Sequence, residues 1–184
     1  MAGPPPDLPY AVTEIESALA AQAMGDEAEL VPNRVARGSR CFGAWLGDEL
    51  VGYGWLSAKP EWIGEIEREI APAPGEAYIW NCVTFAPRRR KGVFRTLVAS
   101  LVAYAKSEGL TRLWIATVSS LADSAISQAN FVPVMRFDAA SWFGLRWLKT
   151  VQVQGVDPGL STAAQTAMAI EPGSSIRRSR PRRH

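Results

Sequence analysis

The feature that most constrains the fold is a basic, glycine-containing turn that joins an apolar strand to an amphipathic helix. Residues 78–85 are rich in aromatic and β-branched side chains, which is typical of a largely buried strand. The turn at 84–95 contains four consecutive cations followed by Gly92. Apolar side chains then recur at helical spacing: Leu97, Val98, Leu101, Val102 and Ala105. Because the first N–H groups of a helix lack intrahelical partners, this segment predicts an anion-binding turn.

Two common phosphate-binding loops do not match this turn. A Walker loop needs Gly-Lys followed by Ser or Thr, whereas the order here is Lys91, Gly92, Val93. A dinucleotide-binding loop needs three glycines and an acidic residue on the next strand, and residues 112–118 end without one. The sequence therefore argues against both classes.

The turn resembles the coenzyme loop of a third family. Arg89, Gly92 and Phe94, at the start of a helix that follows a strand, are similar to the Gln/Arg-x-x-Gly-x-Gly/Ala loop of the GNAT superfamily of acyl-CoA-dependent N-acyltransferases. Phe94 departs from that pattern, since a small residue is usual at its position. A second segment resembles the family's Asn-x-x-(Ser/Ala)…Gly-Phe stretch, with Ser119 and Asn130 standing where Asn and Gly are usual. Asn tolerates the left-handed conformation that glycine adopts after a helix.

The resemblance implies an α+β fold of three layers. Its mixed, mostly antiparallel central sheet should have about six or seven strands, flanked by about four helices. The local patterns agree with this order, predicting helices at 13–24, 27–37, 92–108 and 122–129 and strands at 40–46, 50–57, 77–85, 112–118, 132–138 and 145–154. Residues 58–75 predict an extra strand or a short helix.

The chain length of 184 residues predicts one folded domain. We expect an extended lead-in at 1–9, a GNAT-like domain at 10–154 and a largely disordered segment at 155–184. The last fourteen residues hold five arginines and one glutamate, a charge of +4, so residues 1–170 sum to −2 against the net +2 of the chain. Nucleic-acid binding is therefore expected only weakly and through this Arg-rich tail.

The composition argues against some kinds of catalytic and metal-binding sites. His184 is the single histidine, which argues against histidine acid–base catalysis and histidine metal sites, so no metal is expected. Cys41 and Cys82 lie in apolar runs, as buried thiols of a reducing compartment do. No apolar run approaches a membrane span, so we expect a cytoplasmic protein without membrane contact.

The resemblance implies that acetyl-CoA is the co-substrate. The pantetheine arm would lie along the main chain of Cys82, Val83 and Thr84, and the pyrophosphate would meet the N–H groups and cations of the turn. The expected coenzyme-binding residues are Cys82, Val83, Thr84, Arg89, Arg90, Lys91, Gly92, Val93, Phe94, Arg95 and Ser119.

For catalysis, the resemblance implies direct transfer of acetyl to an amine. Glu76 is the predicted general base, with Glu65 and Glu67 in reserve, although for any one of them a solvated turn residue is the more common case. Members of the family often have, at the position of Ile126, a tyrosine that acts as the general acid. In this chain Tyr78, Cys82 or water would therefore have to protonate the departing thiolate.

The acceptor is expected to be a small-molecule amine. A protein amine, a non-catalytic acyl-CoA-binding module and a polyanion-binding role for the tail remain alternatives. Some aromatic residues are compatible with either an acceptor pocket or the core: Trp55, Trp62, Tyr78 and Trp80. Others near the last hairpin are compatible with a homodimer surface: Trp142, Phe143 and Trp147.

Overall fold

A computed structural model describes residues 9–63, 67–117, 120–142, 145–170 and 173–178 of the chain. Contacts divide the chain into two compact units. The first comprises Met1–Lys59 with Pro72–Phe131, and the second comprises Pro60–Ala71 with Val132–His184. The predicted domain 10–154 spans parts of both units.

The first unit contains helices and strands in the order β1 (Ala11–Glu14), α1 (Ser17–Met24), α2 (Val31–Ala36), β2 (Arg40–Leu46), β3 (Glu49–Ser57), β6 (Glu76–Thr84), α3 (Val93–Ser107), β7 (Arg112–Ile115) and α4 (Ser120–Gln128). A 3-10 turn at Gly25–Leu30 connects α1 to α2. The second unit contains β4 (Glu61–Ile63), β5 (Arg68–Ile70), β8 (Met135–Trp142), β9 (Leu145–Gln152), α5 (Pro158–Met168) and β10 (Gly173–Arg178).

The first unit is built on a five-stranded sheet in the order β1-β2-β3-β6-β7. Its neighbouring strands are antiparallel except for β6 and β7, which run parallel. The predicted class, an α+β fold with a mostly antiparallel central sheet, is thereby confirmed. The expected count of six or seven strands is slightly too high, because β8 and β9 pair with β10 in a separate three-stranded sheet.

Two apolar cores lie on opposite faces of this sheet and make three layers. On one face, which we term the α1 face, Ala20 and Met24 of α1 and Val31 of α2 pack against Tyr53 and Trp55 of β3. On the other, the α3 face, two leucines of α3 pack against side chains of β2, β3 and β6: Leu97, Leu101, Phe42, Leu56 and Ile79. Alternation along the strands sends successive side chains to these two cores.

Local patterns located most elements of the first unit. The β2–β3 hairpin, strand β6 and helix α3 occur where the sequence predicted them. The predicted helix at 13–24 starts later, since residues Ala11–Glu14 pair with β2 as strand β1. The predicted helix at 27–37 is divided into the 3-10 turn and α2, with Pro32 in the first turn of α2, where its missing N–H is not needed.

Strand β6 is interrupted by a β-bulge opposite β3. Tyr53 pairs with Val83 and Trp55 with Trp80, so Gly54 faces two residues, Asn81 and Cys82. Asn81 has φ 43°, the left-handed conformation that asparagine tolerates better than most residues.

Glycines of β3 make the bulge sterically feasible. A Cβ at Gly52 would lie 2.5 Å from the main-chain oxygen of Val83, and one at Gly54 would lie 2.8 Å from the Cys82 sulfur. The two backbones therefore approach each other more closely than side chains would permit.

The pairing of β6 with β7 ends before the bulge, and we call the unpaired edge of β6 after Ile79 the opening between β6 and β7. Within the described residues, the parallel ladder joins Glu76–Ile79 to Arg112–Ile115 and ends there, while β6 continues to Thr84 beside β3. The main chain after Ile79 thus has a partner strand on one side only in this part of the structure.

The second unit has its own apolar core. Its buried apolar side chains lie on β4, β5, β9 and α5, directly before β8 and shortly after α5: Ile63, Ile70, Val134, Leu148, Ala164, Ala167, Met168 and Ile170. Helix α5 is tied to β5 by a hydrogen bond from the Ala71 N–H to the Ala167 carbonyl, 2.7 Å long. Residues 58–75, predicted as a strand or a short helix, contain the small β4–β5 hairpin.

The described residues between 155 and 178 contain a helix and a strand. Helix α5 is capped by Asp157, whose carboxylate accepts a hydrogen bond from the Leu160 N–H, and its buried face is formed by Ser161, Ala164, Ala167 and Met168. Strand β10 pairs antiparallel with β9, Gly173 opposite Thr150. Composition predicted a largely disordered segment here, because the stability of these two elements depends on distant partners that composition does not reveal. Among the described residues, no helix is both long and apolar enough to cross a membrane.

The glycines of β3 give a test of the bulge. We expect Gly52→Ala to lower the free energy of unfolding by about 1–3 kcal/mol, because the new methyl group meets the Val83 main-chain oxygen, which cannot rotate away. Gly54→Ala should cost less, since it meets the ends of the Cys82 and Leu97 side chains. Urea unfolding followed by circular dichroism measures both, and an equal cost at the two positions would contradict the proposed close approach.

Candidate functional site

The basic turn leads into helix α3 through residues of unusual backbone conformation. Arg90 has φ 60° and Gly92, the residue before the helix, has φ 87°. No side chain of the described residues caps the start of α3. Glycine at the cap supplies the left-handed conformation without a Cβ that would cover the first N–H groups. The predicted geometry, a strand turning into an uncapped helix start, is present here.

The cations of the turn are not equivalent. Arg88 is half-buried and forms an ion pair with Glu49 of the β2–β3 hairpin, with its Nε 3.2 Å from one carboxylate oxygen. The side-chain hydrogen bond from Arg88 holds the pKa of Glu49 below its usual value. Arg89 donates from Nε to the Thr84 carbonyl at 3.3 Å, while Arg90 and Lys91 are exposed. Arg88 thus anchors the turn, while Arg90 and Lys91 lie exposed on it.

The predicted coenzyme-binding residues at the start of α3, Val93, Phe94 and Arg95, differ in their burial and contacts. Val93 is buried against Ala44 and Val51, so only its main chain is available to a ligand. Phe94 is half-buried. Arg95 turns toward α4, donating from Nη1 to the Gln128 side chain at 3.2 Å. Ser119 lies outside the described residues.

The turn is also held from the first strand. The Tyr10 hydroxyl donates to the main-chain oxygen of Lys91 at 3.1 Å. Together with the Arg88–Glu49 pair, this contact fixes both ends of the cationic segment to the sheet. The backbone that would meet an anion is therefore held in place before any ligand arrives.

The predicted pantetheine segment borders the opening between β6 and β7. Cys82, Val83 and Thr84 are all half-buried; Cys82 forms the bulge with Asn81, and Val83 and Thr84 follow it. Val83 packs on the α1 face and Cys82 on the α3 face. These three residues lead directly into the turn along the chain.

Glu76, the predicted general base, is 5% exposed and surrounded by donors. One carboxylate oxygen pairs with Arg112, and the other accepts from Trp114 Nε1 at 2.7 Å and from the Ala73 N–H at 3.3 Å. A base must offer a free lone pair to the proton that it removes. These contacts favour a structural role for Glu76, joining β6 to β7 at their paired end.

The candidate acids are enclosed. Burial raises the pKa of the Cys82 thiol to about 12, and it likewise raises the pKa of Cys41 to about 12. Tyr78 is 4% exposed. A thiol of such a high pKa is a poor proton donor to a departing thiolate and has almost no nucleophilic thiolate at neutral pH. The reserve Glu67 belongs to the second unit, and Glu65 lies outside the described residues.

A buried cation on the α1 face was not predicted as part of the site. Arg34 of α2 lies over the Trp80 ring, 4.4 Å from its centroid, and 5.1 Å from that of Trp55. With its amide oxygen facing α2, Asn81 accepts from Arg34 Nη1 at 2.7 Å and Nη2 at 3.0 Å. A signal in the sequence was Asn81, a turn residue in the middle of a β-rich run.

The aromatic residues considered for an acceptor pocket are divided between core and surface. Trp55 and Tyr78 are buried, Trp80 is half-buried, and Trp62 lies in the second unit and is 48% exposed. Trp147, considered for a homodimer surface, is 36% exposed on β9. In the part of the chain that the structure describes, no cluster of His, Cys, Asp or Glu has metal-binding geometry.

A cavity of about 480 Å³ begins at Arg95, the last residue of the turn, and extends away from Gly92. It is lined by the outer side of α3, the first residues of β7 and the end of α4, including Val102, Lys106, Leu110, Leu113 and Phe131. The opening between β6 and β7 lies past Ile115, at the other end of β7. Convergent main-chain and cationic groups therefore identify the turn, not this cavity, as the candidate site.

Comparison with known proteins bears on the family and the fold. A model of the Acetyltransferase (GNAT) family matches residues 10–127. The fold is similar to that of an acetyltransferase of Trypanosoma brucei, with a TM-score of 0.51, 14% identity and coverage of 72% of this chain and 99% of that one.

It is also similar to glucosamine-6-phosphate N-acetyltransferase of Arabidopsis thaliana, with a TM-score of 0.50, 10% identity and coverage of 73% and 98%. No curated protein matched the chain by sequence. At these identities the two structures support the fold, while the matched family model covers more than half of the chain.

Glu76→Gln distinguishes a structural carboxylate from a catalytic one. We expect the free energy of unfolding to fall by about 1–3 kcal/mol, because Gln loses the charged pair with Arg112. The rate of acetyl transfer by the folded variant should fall less than tenfold, whereas loss of a general base costs about 10²–10⁴-fold. Arg112→Gln is the matched control and should destabilise to a similar degree. A large loss of rate confined to Glu76→Gln would restore it as the base.

The buried thiols predict a pH dependence. Since burial raises the pKa of Cys41 and Cys82 to about 12, the folded protein keeps both protonated where the unfolded chain ionises, near pH 8.5–9. Unfolding becomes easier as the pH rises through this range toward 12. Wild type should therefore lose more stability than a Cys41→Ala/Cys82→Ala variant between pH 8 and 10.5. Equal slopes would show that the thiols ionise in the folded state.

Proposed function

The chain belongs to the GNAT acetyltransferase family, and from this membership we propose that it transfers an acetyl group from acetyl-CoA directly to the amine of a small molecule. The observation that carries the proposal is the uncapped start of α3 behind Gly92, bordered by exposed cations and by the opening between β6 and β7. Acetyl-CoA would supply an activated acetyl thioester.

Each part of the candidate site has a role in this proposal. The N–H groups of residues 90–95 would donate to the pyrophosphate, and Arg89, Arg90 and Lys91 would add positive charge. The main chain of Cys82, Val83 and Thr84 would align the pantetheine arm as an added strand. A main-chain N–H of this stretch would polarise the thioester carbonyl.

The proposed reaction needs little from ionisable side chains. The neutral amine nitrogen forms a bond to the acetyl carbon, the carbon–sulfur bond breaks, and the sulfur leaves with the bonding pair. The amine proton passes to solvent water, which also protonates the thiolate. The contacts of Glu76 and the high pKa of Cys82 support water in both roles.

A small-molecule acceptor is the proposed substrate class. One protein of similar fold is named as an N-acetyltransferase of glucosamine-6-phosphate, which is a small amine, but at 10% identity this supports only the class. A protein amine is the alternative acceptor.

A non-catalytic acyl-CoA-binding module is a second candidate. It is favoured by the enclosed positions of Tyr78 and Cys82 and by Ile126 where the family often has an acidic tyrosine. Release of free thiol from acetyl-CoA across an amine panel separates the two candidates. Thiol release above the rate without amine supports the transferase, and tight CoA binding without it supports the module.

Charge removal at the turn tests the coenzyme site. We expect Arg90→Ala and Lys91→Ala each to weaken CoA binding about tenfold, since each removes a charge-assisted contact. Isothermal titration calorimetry at low salt measures the change. Lys106→Ala removes an exposed cation at the far end of the same helix and should leave the affinity unchanged. Unchanged affinity in the first two variants would place the coenzyme elsewhere.

A further inference from the structure

The bulge in β6 inverts the alternation of its side chains. Ile79 packs on the α3 face and Trp80 on the α1 face, as in a regular strand. Without a bulge, Cys82 would then share the α1 face with Trp80. Instead Cys82 packs on the α3 face and Val83 on the α1 face. A register change of one residue at Asn81 therefore decides which way every later residue of β6 points.

Arg34 contacts both residues at the point of inversion. Its guanidinium lies over Trp80 and also donates twice to Asn81, the next residue along the strand. Consecutive residues of a regular strand face opposite sides of the sheet, so one side chain can contact both only where the alternation breaks. The contact is thus specific for the bulged conformation.

Arg34 is itself held firmly. The residue is 6% exposed, and its Nη1 lies 3.5 Å from the Met24 sulfur. Its Nη2 is 3.8 Å from the Glu27 carboxylate, which is largely exposed. The planar, permanently charged guanidinium fits between an aromatic face and an amide, and lysine could not reproduce this fork.

We propose that Arg34 is a positioning residue that holds the β6 bulge and, through it, sets the phase of Cys82, Val83 and Thr84 along the opening between β6 and β7. The link to the coenzyme rests on the proposed function, because these are the residues that would align the pantetheine arm. Asn81 provides the second half of the contact, since its left-handed backbone is costly without compensation.

The reactivity of the Cys82 thiol measures which way the residues after the bulge point, and it does so without any coenzyme. It lies against Gly54 and beside Leu97 in the bulged strand. In a Cys41→Ser background, native Cys82 should react slowly with a thiol reagent such as dithionitrobenzoate. Arg34→Met and Asn81→Ala should each raise this rate at least tenfold, while circular dichroism remains that of a folded protein. Glu27→Gln, which removes only the outer ion pair, is the matched control and should leave the rate unchanged.

CoA affinity is the second readout. We expect Arg34→Met and Asn81→Ala each to weaken CoA binding about tenfold, and the double variant to be no weaker than either alone, because both remove one interaction. Additive losses would mean that the two residues act separately and would overturn the proposal. If Arg34→Met does not fold, Arg34→Lys replaces it in the test, because lysine retains a buried cation over Trp80. Arg34→Lys should weaken CoA binding in the same direction but to a smaller extent.

The two readouts separate the possible failures. If Arg34→Met labels and binds CoA like wild type, the role of Arg34 is overturned while the coenzyme site stands. If wild type does not bind CoA at millimolar concentration, the proposed function is overturned. Faster labelling of Arg34→Met would then still support its hold on the bulge.

Discussion

The close approach of β3 and β6 is the constraint on which the rest of the site depends. Gly52 and Gly54 let the two backbones come together where Asn81 adds an extra residue. The bulge changes the direction and phase of β6, and within the described residues the ladder to β7 ends at Ile79. The missing Cβ atoms of the neighbouring strand thus permit the bulge that lies beside this unpaired edge of β6.

The cations of the first unit form two groups: some are paired within the fold and stabilise it, and others are exposed near the turn, where an anion would bind. Arg88 is neutralised by Glu49, and Arg112 by Glu76, and each pair fastens one end of β6 or its turn to a neighbouring strand. Arg34 is buried and pinned by aromatic and amide groups. The exposed cations near Gly92 lie beside N–H groups that already attract an anion, so their charge adds to a preformed field rather than creating one.

Sequence predicted what is local and missed what depends on distant partners. The β2–β3 hairpin and the β6–α3 turn carry their own signals, alternation, glycine and helical spacing, and the family resemblance followed from the same turn. Strand β10 was not predicted, because a segment rich in small and charged residues forms a strand only with β9 beside it. The structural role of Glu76 was not predicted either, because it is set by its contacts with Arg112 and Trp114. Arg34 was missed for the same reason, because Trp80 and Asn81 are more than forty residues away in the sequence.

The titratable groups considered for catalysis, Glu76, Tyr78 and Cys82, are enclosed, and this affects how such a site could accelerate acyl transfer. Direct aminolysis of a thioester requires alignment of two reactants and stabilisation of a developing oxyanion, and neither demands an ionisable side chain. A rigid main chain supplies both when its N–H groups are fixed in direction. In this protein the direction is fixed by the bulge, by Tyr10 and Arg88 around the turn, and by Gly92 before α3. Catalytic power in this arrangement would therefore depend on residues that hold the backbone, none of which needs to touch the acetyl group.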